Sequence, residues 1–337
     1  MKKVFLIIIT LLCLTGCNKK INVNPINEFE SSVNKTKSYK IVGTMELQND
    51  EEIFEYELTV SYLKDSNYKV EMLNKTNNQE QIILKNEDGL YVITPALNKS
   101  FKFESTWPDN SSQAYILSSL LKDIKNDKNT SYVTKDDMYI IQCAVNYPNN
   151  SELSYQKIYL DKNYNLKKVE VYNDADLVKI KINLTDVDLK AGLNEDEFEL
   201  KKYVNTSECE EENCSDEKTM SRIESAIYPL YTPANTYLSG SEVVNSDLDS
   251  RVILTFSGDK NFVIVEQNAN AGIEHEIIPV YGEPIMLNDT IGALSTNSMY
   301  WTSNSVDYYL ASDDLSIEEM VFVATSLTNA RATIAEK

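Results

Sequence analysis

Alternation of apolar and polar residues is the feature that most constrains the fold of this chain. The apolar positions of one stretch are Phe54, Tyr56, Leu58, Val60 and Tyr62, separated by Glu55, Glu57, Thr59 and Ser61. Successive side chains of a β-strand point to opposite faces, so the pattern predicts a strand with one buried and one solvated face. Tyr68, Val70 and Met72 repeat it after a turn at 65–67, which predicts an antiparallel partner.

Similar short runs, separated by turn residues, continue to residue 187. They predict strands at 82–84, 90–93, 99–103, 138–145, 155–160, 166–172 and 178–187, with a hairpin signal at 86–89. Apolar residues at helical spacing predict one helix over 25–37 and another over 111–126. A sheet of this length must curl or be covered, because its apolar face is unstable in water.

A charged stretch at 208–218 marks the end of this region. Such runs are typical of solvated linkers, so residues 205–220 are predicted to separate a domain at 25–204 from a smaller one at 221–337. The smaller domain begins with an irregular segment at 226–244 and then shows strands at 251–256, 261–267, 284–287, 298–301 and 307–311. A final helix begins with a capping box at Ser316–Glu319, and its predicted apolar stripe is Ile317, Met320, Val321, Ala324 and Leu327.

The N-terminus has the features of a secretion signal. Lys2 and Lys3 precede an uncharged apolar run at 4–14, which is shorter than the roughly 20 residues of a membrane span. The sequence Leu14-Thr15-Gly16-Cys17 resembles the lipobox of bacterial lipoproteins. This resemblance implies that residues 1–16 are removed, that Cys17 carries a diacylglycerol, and that 17–24 is a tether at the extracytoplasmic face of the membrane. The alternative is a plain secretory signal with a chance cysteine.

Charge and cysteine content narrow the possible partners. A formal net charge of −20 repels nucleic acid and anionic lipid head groups, so an acyl anchor would hold the protein at the membrane without basic residues. Cys143 lies in an apolar run and is interpreted as a buried small hydrophobe. Cys209 and Cys214 are interpreted either as a disulfide pair or as two free thiols, and no His or other Cys lies near them to complete a zinc site.

No catalytic motif stands out in the sequence. His275 is the single histidine, no G-x-S-x-G, P-loop or G-x-G-x-x-G motif is present, and acidic pairs are expected by chance at this composition. His275 is therefore interpreted as a residue of a loop or edge strand, and we predict no catalytic residue, metal or cofactor. The remaining enzymatic hypothesis, an envelope hydrolase, requires His275 beside a Ser and an Asp in a cleft.

The order of lipobox, short helix and tyrosine-rich strands resembles the LolA/LolB-type lipoprotein-carrier superfamily. "YKIVGTMEL", "YELTVSYLKDSNYKVEM", "YLDKNYNLKKVEVYNDADLVKIKINLTDV" and "NEDEFEL" carry the resemblance, which covers about residues 25–200. "GDKNFVIVEQ" and "MYWTSNSVDYYLASDDLSIEEMVFVATSL" resemble a small uncharacterised domain appended to sporulation-associated members in Firmicutes. The implied fold is α+β: a long curved antiparallel sheet, a half-open barrel with covering helices, and a smaller α+β C-terminal domain.

The resemblance also implies a function. The carriers hold the acyl chains of a client lipoprotein on the concave face, whereas Firmicute relatives in sporulation and germination, including a cortex-amidase regulator, bind partner proteins. An anchored copy cannot travel between membranes, so we expect a non-catalytic binding module with an envelope protein or acyl lipid as partner. The alternative is a carrier of lipid or lipoprotein.

One predicted strand face could serve either purpose. Its candidate residues are Tyr39, Ile41, Phe54, Tyr56, Leu58, Val60, Tyr62, Tyr68, Val70 and Met72. The same alternation describes an ordinary core packed on the two helices and an acyl-binding cavity. The sequence leaves both interpretations open.

Overall fold

The computed structural model describes residues 24–49, 52–64, 66–205, 223, 225–245, 250–272 and 274–335. The predicted signal peptide, the lipidation site Cys17, and Cys209 and Cys214 lie outside these residues, as does nearly all of the predicted tether and linker. Within the described part, no helix has both the length and the apolar character needed to cross a bilayer.

Twelve strands form the larger of two sheets. In chain order they are β1 (Ser38–Asn49), β2 (Glu52–Leu63), β3 (Asn67–Asn74), β4 (Glu80–Asn86), β5 (Gly89–Thr94), β6 (Lys99–Phe103), β7 (Ser131–Lys135), β8 (Met138–Ala144), β9 (Leu153–Leu160), β10 (Leu166–Asn173), β11 (Val178–Asp188) and β15 (Glu276–Val280). Their spatial order is β15-β6-β5-β4-β3-β2-β1-β11-β10-β9-β8-β7, so within the described residues the sheet is open at both ends.

Strand pairing confirms the predicted antiparallel sheet, with one exception. Every neighbouring pair is antiparallel except β6 and β15, which run parallel. The register between β1 and β11 shifts between Val42 and Gly43, an irregularity of the kind that bends a sheet. A Cβ on Gly43 would lie 2.2 Å from the carbonyl oxygen of Asn183, so this close approach requires glycine.

Seven strands from the C-terminal part form the second sheet. They are β12 (Thr236–Asn245), β13 (Ser250–Gly258), β14 (Phe262–Asn268), β16 (Gly282–Met286), β17 (Ile291–Ser295), β18 (Ser298–Ser303) and β19 (Val306–Ala311). Their order is β12-β13-β14-β19-β18-β17-β16, and all pairs are antiparallel. Two antiparallel-rich sheets with few helices confirm the predicted α+β class.

Among the described residues, three α-helices cover the sheets. α1 spans Pro25–Lys35, and the Asn24 side chain accepts a hydrogen bond of 2.9 Å from the Ile26 N–H at its start. α2 spans Leu117–Asn126 and is shorter than the predicted 111–126. The preceding residues bond elsewhere instead: the Ser112 N–H donates to the Asn146 carbonyl at 2.7 Å.

The last helix, α3, spans Ile317–Ala335 and confirms the predicted capping box. The Glu319 N–H donates to Ser316 Oγ at 3.2 Å, and the Ser316 N–H donates to the Glu319 carboxylate at 2.8 Å. The apolar stripe is partly corrected. Ile317 is exposed, whereas Val323, which the stripe omitted, is fully buried.

In the part of the chain that the structure describes, three apolar cores hold the layers together. The first lies on the face of the large sheet that packs against α1 and α2, called the concave face below, and the second lies between the small sheet and α3. The third lies on the opposite face of β4 and β5, under the segment 195–204. Both faces of these two strands are therefore buried, which explains the unbroken apolar run Ile82-Ile83-Leu84.

Several strands were absent from the sequence prediction. The segment 226–244, predicted to be irregular, contains most of β12, and nine of the ten β12 residues are exposed. A strand exposed on both faces shows no alternation of apolar and polar residues, so the pattern could not reveal it. β7, β15 and β17 were missed as well; they are five residues long each.

Candidate binding surfaces

The ten candidate residues lie together on the concave face of β1, β2 and β3. The register places Tyr39 opposite Tyr62, and Val60 opposite both Ile41 and Val70. All ten belong to or pack on the first core; eight are buried, and Phe54 and Tyr62 are half-buried. The face is therefore a packed core in this conformation.

Helices and aromatic side chains close one end of this face. Tyr39 stacks on Tyr62 with ring centres 5.0 Å apart, and Tyr62 contacts Tyr68 at the same distance. The Tyr68 ring meets the edge of Trp107 at 5.8 Å. Phe29 of α1 and four residues of α2 complete the cover: Leu117, Leu120, Leu121 and Ile124. Aromatic contacts of this geometry add to the stability gained from burial alone.

The turn between β16 and β17 closes the other end. The turn 287–290 and Ile291, the first residue of β17, belong to the second sheet and are together called the docking turn below. The Tyr56 hydroxyl donates to the Asn288 carbonyl at 2.8 Å, and the Asn74 amide donates to the Asp289 carbonyl at 3.2 Å. Burial raises the pKa of Tyr56, and the nearby Asp289 carboxylate raises it further, so the phenol stays protonated and remains a donor.

Gln81 binds the docking turn in the manner of a peptide group. Its Oε1 accepts from the Ile291 N–H at 2.6 Å and from the Thr290 hydroxyl at 3.1 Å, and its Nε2 donates to the Ile291 carbonyl at 3.3 Å. Gln81 and Asn74 are both buried. Buried polar groups are tolerated when they are hydrogen-bonded. If the docking turn moved away, each unpaired group would lower the stability of the fold.

Sequence reasoning missed Asn74 and Gln81, although the alternation contained a signal for them. Asn74 follows Met72 on the same face, and Gln81 pairs with Met72 across β3 and β4. Both therefore occupy positions where the pattern expects apolar residues. A polar residue on a core face predicts a buried hydrogen-bonding partner.

A buried ion pair links the two sheets next to the docking turn. Lys99 Nζ of β6 lies 2.6 Å from the Asp307 carboxylate of β19, and both side chains are less than a tenth exposed. The Thr302 hydroxyl donates to the same carboxylate at 2.5 Å. The Lys99 ammonium also lies over the Tyr300 ring, 5.6 Å from its centre. Both charges are thus paired within the interface.

A cavity remains between the two sheets. It has a volume of about 240 Å³ and lies between the ends of β1 and β11, the loop 147–153, β16 and α3. Apolar lining residues include Leu47, Ile180, Met286, Val321 and Phe322. Small-molecule sites usually measure roughly 300–1,000 Å³, so this space suits a side chain or a short acyl segment better than a whole lipid.

His275 immediately precedes edge strand β15, which begins at Glu276, so it lies in a loop at the edge of the sheet. Its Nε2 is 2.9 Å from the Ser100 hydroxyl oxygen, and partial burial lowers its pKa. This geometry brings a Ser beside the His, as the hydrolase hypothesis requires. Ser100 is 0 % exposed, however, so a substrate carbonyl cannot reach its hydroxyl in this conformation. Within the described residues, no group of three His, Cys, Asp or Glu side chains could hold a metal ion.

Comparison with known proteins places the chain among sporulation proteins. The family model described as "Sporulation protein YdcC-like" matches residues 1–198. The Sporulation protein YdcC of Bacillus subtilis (strain 168) is 31% identical over 331 residues, which is 97% of each chain. The chain belongs to the YdcC-like sporulation protein family. This membership confirms the resemblance to sporulation-associated proteins that the sequence indicated.

Solved structures are similar only in general fold. The MucA/MucB complex of Pseudomonas aeruginosa matches over 90% of this chain and 96% of that chain, with 11% identity and a TM-score of 0.32. The LolA superfamily protein NE2245 of Nitrosomonas europaea matches over 52% and 98%, with 11% identity and a TM-score of 0.31. The Clostridioides difficile CwlD amidase–GerS lipoprotein structure matches over 48% and 91%, with 16% identity and a TM-score of 0.30. Scores this low carry no information on partners.

Proposed function

We propose that this YdcC-like protein is a non-catalytic binding protein of the cell envelope that acts in sporulation. In this proposal, diacylglyceryl-Cys17 holds it at the extracytoplasmic face of the membrane, and it binds a partner protein there. We further propose that the chain divides at 205–220 into the domains 25–204 and 221–337, with β15 of the second domain extending the sheet of the first. Family membership supports a role in sporulation, and the lipobox supports the membrane anchor. The packing of the concave face supports a binding role over a transport role.

The main support for this proposal is that the concave face is covered by other parts of the protein. A carrier must open that face to an acyl chain, yet here α1, α2 and the docking turn cover it. Admitting a chain would break the bonds of Gln81, Asn74 and Tyr56 to the docking turn. Leaving buried polar groups unpaired costs roughly 1–3 kcal/mol each, which opposes such opening.

Fractionation of cells tests the anchor. Replacing Cys17 with Ala should release the protein from membranes, because both acyl chains attach through this residue and stable anchoring takes two. Cys13→Ala is the matched control, since Cys13 lies in the predicted signal peptide and is removed with it. A Cys17→Ala variant that stays membrane-bound after signal removal contradicts the lipid anchor.

Cross-linking in sporulating cells tests the binding role. The full chain should form a reproducible cross-link to one envelope protein, identified by its peptides, and the same adduct should be absent from vegetative cells. If neither a specific partner nor a bound lipid is recovered, the proposed function is wrong.

An acyl carrier is the second candidate, favoured by the apolar cavity of about 240 Å³. Native mass spectrometry of the full chain, released in a mild detergent, should then show a bound lipid. Leu47→Trp would fill the cavity and remove that lipid, whereas Val133→Trp, on the distant β7, would leave it. A chain that carries no lipid from the membrane contradicts the carrier.

A further inference from the structure

The two sheets differ in how their edges are protected. An edge strand exposes unpaired N–H and C=O groups along one side, which can pair with a strand of another chain. Within the described residues, the large sheet ends at β15 and β7, and the second sheet ends at β16 and β12. Natural edges are usually blunted by proline, by lysine or by short length.

Three of these four edges are blunted. β15 contains Pro279 and β16 contains Pro284, and proline has no N–H to donate. β7 has five residues and ends in Lys135. Each of these strands therefore offers a poor template for a further strand.

β12 is less protected: its one irregularity, a register shift of the kind that can also blunt an edge, affects only the part before Gly240. It has ten residues, contains no Pro, Lys or Arg, and carries a single charge, that of Glu242. Its register with β13 shifts between Leu238 and Gly240 and is then continuous from Gly240 to Asn245. Six residues in regular register match the usual length of a strand, so this segment can pair along its full outer edge.

The side chains of β12 provide apolar contacts on both faces of the sheet. Val243 pairs with Val252 and so lies on the core side, whereas Val244 pairs with Arg251 and lies on the other side. Val243 is 55% exposed, and Tyr237, at the other end of the strand, is 68% exposed. Leu238 and Val244 are exposed as well, so the strand carries an apolar pair at each end. Single exposed apolar residues are common, but grouped ones along one edge strand favour a protein interaction surface.

We propose that the outer edge of β12 accepts an extended, basic segment of a partner protein by β-strand addition. Backbone groups in a row can be satisfied only by another extended backbone, which specifies a strand. The partner segment should be basic, because Glu242 and the net charge of −20 attract Lys and Arg. The same negative charge repels a second copy of this chain. The valines at one end and Tyr237 at the other contact its alternate apolar side chains.

This inference rests on the proposed binding role and names the surface that performs it. The lipid and cross-linking measurements above test the role itself. The β12 edge is tested separately with defined peptides, so either conclusion can fail without the other.

The test uses three ten-residue peptides with the purified full chain in detergent. The first alternates Val and Lys, the second alternates Val and Glu, and the third is the first with one central Val replaced by Pro. Amide hydrogen exchange and fluorescence anisotropy report the site and the affinity. The Val/Lys peptide should slow exchange at 240–245 by about tenfold or more, whereas the other two should bind at least about tenfold more weakly. The Pro peptide keeps the charge, so it separates strand pairing from simple attraction.

Substitutions on β12 complete the test. Glu242→Lys and Val243→Lys should each weaken binding of the Val/Lys peptide by about tenfold, whereas Val133→Lys, on the blunted β7, should leave it unchanged. All three positions are exposed, and unchanged thermal unfolding would verify the fold. The proposal is overturned if exchange slows elsewhere instead, if the β12 variants bind like the unaltered chain, or if a photo-cross-linker at Tyr237 joins two copies.

Discussion

The docking turn and strand β12 both belong to the C-terminal part of the chain, and they differ in where their polar backbone groups are satisfied. Backbone groups of the docking turn form hydrogen bonds with the side chains of Gln81, Asn74 and Tyr56 of the large sheet. Within the described residues, β12 pairs on one side only, with β13. This protein therefore closes its own concave face and leaves a different surface available for pairing.

Breaking the ion pair beside the docking turn should have the largest effect. Lys99→Ala leaves the Asp307 carboxylate buried without its counter-charge, which costs roughly 3–5 kcal/mol of unfolding free energy. Chemical denaturation measures the loss. Lys102→Ala, at an exposed position on the same strand, is the control and should change little.

A double substitution then separates the effect of losing the Lys99–Asp307 charge pair from the effect of losing side-chain packing. Lys99→Met with Asp307→Asn should recover part of the stability lost in Lys99→Ala, because no buried charge remains. If Lys99→Ala is as stable as the unaltered chain, the two sheets are not joined as described.

Removing the amide of Gln81 should have the next largest effect. Gln81→Leu keeps the size of the side chain but leaves the Ile291 N–H and C=O without a partner, at a cost of roughly 2–4 kcal/mol. Urea unfolding gives this value, and Gln48→Leu at an exposed position is the control. A loss below about 0.5 kcal/mol would mean that the docking turn does not occupy the concave face.

A buried carboxyl group on α2, that of Asp123, makes stability depend on pH. Asp123 accepts hydrogen bonds of 2.9 Å from Ser112 and Gln156, and burial raises the pKa of its carboxyl to about 6. An unfolded Asp titrates near 3.9, so the folded state binds more protons between about pH 4 and 6. Stability should therefore fall as the pH rises through that window.

Asp123→Asn should remove this pH dependence. The variant should be more stable than the unaltered chain at pH 7, by roughly 1–3 kcal/mol, because an amide does not lose a proton. Gln156 Oε1 has no partner among the described residues, so a flipped Gln156 amide could accept from the new Asn. Thermal unfolding at pH 4, 5, 6 and 7 measures the slope. An unchanged slope means that another group is responsible.

The smallest effect on stability is expected at the β12 edge. Val243→Lys should change the unfolding free energy by less than about 0.5 kcal/mol, since the residue is exposed. Val252→Lys, at the facing position on β13, buries a charge and should destabilise the protein severely. Similar losses in the two variants would show that the outer strand is covered rather than open.

The sequence predicted the features that depend on local pattern. Alternation identified the buried face of β1–β3, since each of these strands has one core side and one wetter side. The turn at 86–89 and the capping box of α3 were also predictable, because a few neighbouring residues determine them. The α+β class followed from the order of these elements.

Features that depend on distant residues were not predictable. The docking turn binds Gln81 from about 210 positions away along the chain, and β15 pairs in parallel with a strand from the other half. No local pattern encodes such contacts. β12 escaped detection for a different reason, because a strand without a buried face shows no periodicity.

Amide hydrogen exchange of the full chain, without any partner, distinguishes a closed concave face and an open β12 edge from the reverse arrangement. The Ile291 N–H, bonded to the buried Gln81, should exchange only with global or near-global opening. Several amides within Gly240–Asn245 should exchange quickly, because within the described residues their outer edge is unpaired. A fast Ile291 amide together with a protected β12 would contradict both the closed concave face and the open edge.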